Sequence, residues 1–98
     1  MNKREEYNLE IINLINNKKF SNAKREIKKN FKKYPDQLDL ILKICQDCSK
    51  AKKHKQSLDF AKILYNKYPK EISVNLTYAE ALIKKKYFSA AYKIIKEA

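Results

Sequence analysis

Apolar residues along this chain fall at helical spacing, in short stripes separated by polar turns. Tyr7, Ile11 and Leu14 follow i, i+4, i+7, and Ala23, Ile27 and Phe31 follow i, i+4, i+8. Ile41, Ile44, Cys45 and Cys48 form a third stripe, and Leu58, Ala61, Leu64 and Tyr65 a fourth. Tyr78, Ala79 and Leu82 make the fifth, and Phe88, Ala91, Tyr92 and Ile95 the sixth. Breaks are expected near Asn16–Lys19, Tyr34–Pro35, Lys52–His54, Tyr68–Pro69 and Lys85–Tyr87. Proline forces the residue before it out of the helical region and can open the helix that follows. The pattern therefore predicts six helices, at about 3–17, 20–33, 36–50, 54–67, 71–85 and 88–97, with Ser21 and Ser89 in the first turns of theirs.

The two prolines carry a second message. Each closes a Lys-Tyr-Pro tripeptide, Lys33-Tyr34-Pro35 and Lys67-Tyr68-Pro69, and the two stand 34 residues apart. Laid on itself at that period, the chain aligns Phe20 with His54 and Phe88, and Ala23 with Ser57 and Ala91. Leu14, Cys48 and Leu82 share a column, as do Phe31 and Tyr65, and so do Lys18, Lys52 and Lys86. A period of this length is the mark of a helical repeat.

In these columns the sequence resembles the tetratricopeptide repeat family, whose 34-residue unit is a helix–turn–helix. The match rests on Phe20, Ala23, Ile27 and Pro35 in a first repeat (4–37) and on Cys45, Ala61, Leu64 and Pro69 in a second (38–71). Ala79, Leu82, Phe88, Ala91 and Ala98 carry it in a third (72–98). The chain departs from the family pattern in having neither tryptophan nor glycine, and in Asn30 and His54, where a small and an aromatic residue are usual. The resemblance implies an all-α fold, a single right-handed superhelix of three repeats covering residues 1–98. Because the third repeat stops before its usual proline and has no polar capping helix, the chain is expected to be a fragment of a larger protein.

Length and composition narrow the chemistry. At 98 residues there is room for one modest core. The absence of glycine excludes Gly-rich phosphate loops, dinucleotide fingerprints and EF-hand loops. It also suggests turns that need no left-handed residue and use lysine in its place. Two cysteines three residues apart cannot frame a disulfide-rich fold. The apolar runs are too short to span a bilayer, and the N-terminus lacks a signal-peptide apolar block, so the expected location is the cytoplasm.

No constellation of catalytic residues appears, so the expectation is a non-enzyme without cofactor or metal. His54 stands in the aromatic column, where packing is the favoured role. Cys45 and Cys48 spell Cys-x-x-Cys, but no second ligand pair accompanies them for zinc. Their place in the middle and at the end of a helix stripe suits buried thiols better than a redox pair, which needs a helix N-terminus.

Members of the resembled family bind peptides in a concave groove lined by the first helix of each repeat. The resemblance puts Asn8, Leu9, Ile12 and Ile15 there in the first repeat, and Leu42, Lys43 and Gln46 in the second. Leu76, Thr77, Glu80 and Ile83 follow in the third. The lysine–asparagine clamp of chaperone-tail binders is missing, since Asn8, Ile12, Lys43, Ser73 and Thr77 occupy its positions. What remains is an apolar stripe suited to a partner peptide or amphipathic helix. The same stripe would be covered equally well by a second copy or by a further part of the protein.

Charge adds an alternative. The net charge is +12, from 23 basic and 11 acidic side chains, and 21 of the basic residues are lysine. Lysine, isoleucine, asparagine and tyrosine all have A/T-rich codons, so part of this reflects composition. Yet Lys18, Lys52 and Lys86 recur in the turns inside the repeats, with Lys19, Lys53, Lys55, Lys84 and Lys85 around them, and together they would form a positive rim. Such a rim could hold an anionic polymer or surface, with the module accessory to a larger enzyme such as a glycosyltransferase. No aromatic platform is read on that rim. A self-association scaffold, a homo-oligomer joined through uncapped ends, is the third reading.

Overall fold

The computed structural model describes residues 2–97, so Ala98, the last residue of the family match, lies outside the described residues. Among the described residues the fold is all-α, with six helices and no strand. They are α1 (Lys3–Asn16), α2 (Phe20–Lys29), α3 (Leu38–Lys50), α4 (His54–Lys67), α5 (Ile72–Lys84) and α6 (Phe88–Glu97). None is long and apolar enough to cross a membrane. The chain divides into two compact units, Met1–Leu40 and Ile41–Ala98.

In the first unit α1 opens on a reciprocal cap. Asn2 accepts the Glu5 N–H at 2.8 Å, and its side-chain amide donates to the Glu5 carboxylate at 2.9 Å. Glu5 and Glu6 then face the positive end of the helix dipole. α1 packs on α2, and Tyr7, Ile11, Ala23 and Ile27 are buried. The segment after α2 folds back onto α1. Tyr34 stacks on Tyr7 at a centroid distance of 4.7 Å, and Arg4 donates to the Asp36 carbonyl. Gln37, only 1% exposed, accepts the Tyr7 hydroxyl at 2.6 Å and donates to the Ile27 carbonyl at 3.2 Å. A buried amide needs such partners, because an unmade hydrogen bond in the core costs on the order of 1–3 kcal/mol.

The second unit holds the larger core. Phe60, Ala61 and Leu64 of α4, Val74, Ala79 and Leu82 of α5, and Ile41, Ile44, Cys45 and Cys48 of α3 are buried. α5 packs on both α4 and α6, and the Ser57 hydroxyl donates to the Cys45 carbonyl at 3.0 Å, joining α4 to α3. α6 buries only Ala91.

Two expectations about helix ends are corrected. α2 stops at Lys29 rather than 33, where the Asn30 amide donates to the Glu26 carbonyl at 2.8 Å, drawing that end of the helix into a turn. Neither proline opens a helix. Pro35 and Pro69 lie in the connections, α3 starting at Leu38 with the Asp36 carboxylate accepting the Leu38 N–H at 3.3 Å, and α5 at Ile72.

A third correction concerns the turns. They do require a left-handed residue, and lysine takes that conformation: Lys18, Lys52 and Lys86 have φ of 61°, 60° and 64°. Each forms the same C-terminal motif. The Lys18, Lys52 and Lys86 N–H groups donate to the Ile15, Ser49 and Ile83 carbonyls, three residues back, at 2.8–3.0 Å. The next N–H groups, of Lys19, Lys53 and Tyr87, donate to the Leu14, Cys48 and Leu82 carbonyls at 2.8 Å. These paired bonds satisfy helix-end carbonyls and are those of a Schellman turn, whose left-handed site glycine usually fills. The carbonyls of Lys19, Lys53 and Tyr87 then accept from Ala23, Ser57 and Ala91, starting the next helix at once. The 34-residue period is thus written in the backbone as well as in the sequence.

Candidate functional site

The turns of the second unit assemble a basic basin. Lys52, Lys53 and Lys55 at the start of α4 and Lys84, Lys85 and Lys86 at the end of α5 line a depression of about 560 Å³, together with His54 and Gln56. Packing of α4 on α5 brings the two lysine clusters together, so six of the eight rim lysines meet here. Lys18 and Lys19 occupy the matching turn of the first unit. Within the basin Lys55 is partly neutralised by Asp59, 3.5 Å away one helical turn on. The α4 N-terminus adds its positive dipole end, and Lys53 at the N-cap gives it no side-chain capping bond.

His54 also lines a smaller cavity, of about 80 Å³, with Cys45, Gln46, Ser57, Thr77 and Glu80 among its walls. The His54 Nδ1 is inaccessible and has no hydrogen-bond partner. Gln46, Thr77 and Glu80, three of the groove residues expected from sequence, are thereby brought together.

The other groove residues are unequally open. On α5, Leu76 is 58% and Ile83 43% exposed, on a helix whose other side buries Val74, Ala79 and Leu82. Leu42 beside them in sequence order on α3 is half-buried, while Lys43 is exposed and pairs with Asp47 at 3.2 Å. On α1 in the first unit Leu9 is exposed, and Asn8, Ile12 and Ile15 are half-buried.

Cys45 and Cys48 are free thiols buried in α3. Burial, and then the neighbouring Cys48, pushes the Cys45 thiol up to about 12. Burial also raises Cys48, helped by Asp47 and opposed by Lys53. Thiols held protonated in this way are poor nucleophiles and poor metal ligands. Among the described residues no group of three or more His, Cys, Asp or Glu side chains is arranged to hold a metal ion.

Phe88 at the start of α6 is 60% exposed rather than packed, and Tyr87, which directly follows Lys86, is 53% exposed. The run Lys84-Lys85-Lys86-Tyr87-Phe88 was the available signal, but the aromatic column shared with Phe20 pointed to packing. Tyr92 and Ile95 further along α6 are also more than half exposed, and Ile94 is half-buried.

No protein-family model matches the chain, and neither a search of curated proteins nor one of solved structures finds a match.

Proposed function

We propose that the chain is a helical-repeat module of the tetratricopeptide type, without catalytic chemistry, that holds a peptide or helix of a partner protein against the first helices of its repeats. The repeat reading draws on the three identical left-handed turns at 34-residue spacing. The binding reading is carried by one observation: α5 is apolar on both sides, with Leu76 and Ile83 open to water opposite its buried face. Large apolar side chains lined up on one exposed helix face, with Thr77 and Glu80 between them, suit a partner that brings its own apolar residues. Burying the exposed parts of these two side chains would contribute about 2 kcal/mol, or roughly 30-fold in affinity.

The test is a peptide-display selection on the whole chain, counter-selected with the Leu76→Glu/Ile83→Glu variant. Enriched peptides that bind the wild-type chain and lose at least tenfold on the variant support the reading. Peptides that bind both alike overturn it.

A second reading, an electrostatic module that binds an anionic polymer through its lysines, is favoured by the basin at the α4 and α5 ends. Six lysines around one depression form a stronger local field than the same charges scattered over a surface. In this reading the module would serve a larger enzyme by holding an anionic chain near it.

A further inference from the structure

The basin carries more than charge, and its surroundings narrow the choice of ligand. Its cations are all lysines, which contact phosphates as point charges and offer no planar fork for the edge of a particular base. Beside them the chain exposes two aromatic rings, Tyr87 next to Lys86 and Phe88 next to Tyr87. The turn itself fixes this adjacency. Lys86 is held left-handed, and the Tyr87 N–H is tied to the Leu82 carbonyl at 2.8 Å, so both rings start from an ordered backbone. Lysines lining a depression, followed directly in the chain by two exposed aromatic rings, supply the two components of a surface for unpaired nucleotides. An inorganic polyanion would use the lysines and leave the rings idle. A duplex would present phosphates but keep its bases stacked on one another.

We infer that the lysine basin and the rings of Tyr87 and Phe88 together bind single-stranded nucleic acid, the backbone phosphates lying among Lys52, Lys53, Lys84, Lys85 and Lys86 and bases stacking on the two rings. The inference rests on the electrostatic reading above and names its ligand. Binding is sequence-tolerant, since every base offers a face for stacking and no arginine reads an edge.

Fluorescence anisotropy of the whole chain with a labelled 12-nucleotide oligothymidylate, from 50 to 300 mM KCl, tests it. Inorganic polyphosphate of equal charge and a 12-base-pair duplex serve as competitors. The oligonucleotide is expected to bind at least tenfold more tightly than either competitor. Tyr87→Ala/Phe88→Ala should weaken it about tenfold while leaving the salt dependence unchanged. Lys84→Gln/Lys85→Gln/Lys86→Asn, with asparagine chosen because it tolerates the left-handed site, should lower the log–log salt slope by about 2. Thermal melts of both variants establish that they fold.

Equal affinity for oligonucleotide and polyphosphate, with no effect of the aromatic substitutions, overturns this inference and leaves the electrostatic reading standing. Failure of both ligands to bind at 50 mM KCl overturns the two together.

Discussion

Lys52 and Lys86 stand 34 residues apart and share one backbone conformation, φ 60° and 64°, each closing its helix with the same pair of hydrogen bonds. A β-carbon makes that left-handed conformation costly, by on the order of 1 kcal/mol, and glycine would adopt it freely. Lysine at these sites therefore spends stability on each turn. Its side chain in return stands at the basin in both places.

Replacing the strained residue should stabilise the protein. Lys86→Gly is expected to add about 0.5–1 kcal/mol, raising the melting temperature by several degrees. Lys86→Val, with its branched β-carbon, should lower it by more than 1 kcal/mol. Thermal melts of the two variants, read against Lys86→Asn as an intermediate, measure this.

The buried Tyr7–Gln37 bond makes a second prediction. Tyr7→Phe takes the hydroxyl from a side chain that is buried in the first unit, and should cost about 1–2 kcal/mol. Because both partners belong to one bond, Tyr7→Phe/Gln37→Leu should fall short of the sum of the single losses. A double-mutant cycle by urea denaturation measures the coupling.

How far the sequence foretold the structure depends on the range of the interactions. Five of the six helices end within about two residues of where the apolar stripes and turn residues put them, since such breaks are local. α2 is the exception, for Asn30, five residues before the proline, turns its side chain back onto Glu26. Tyr7 meets Gln37 across 30 residues, between a helix and a connection, and no periodic pattern announces such a pair. Lys52 and Lys86 of the basin were visible through their period, although the left-handed conformation these two adopt was not. The openness of Tyr87 and Phe88 depends on which face α6 turns to α5, and α6 turns inward little more than Ala91.

Alkaline pH should unfold the protein through its buried acids. Burial raises the Cys45 thiol from 9.0 to about 12 and the Tyr7 phenol from 10.0 to about 12, the latter aided by Glu26. Both groups hold their protons more tightly in the folded chain than in the unfolded one. Their stabilising contribution is therefore complete below pH 9 and is lost as the pH climbs from 9 to about 12. Urea melts between pH 7 and 11.5 should show that decline, and Tyr7→Phe should remove the part that begins near pH 10.

The same burial should hide the thiols. At pH 7.5 an aromatic disulfide reagent is expected to label Cys45 and Cys48 at least 100-fold more slowly in the native chain than in urea. Rapid labelling of the native protein would mean that α3 opens readily.

The central claim is that an apolar face on α5 captures a partner segment, and equilibrium binding of a selected peptide at 50 and 500 mM salt tests it most directly. The account predicts that the wild-type chain keeps its affinity within about fivefold across that range, because apolar contacts are not screened. It predicts at least a tenfold loss in Leu76→Glu/Ile83→Glu with the fold intact. An affinity that collapses with salt, or a variant that binds as the wild type does, would contradict it.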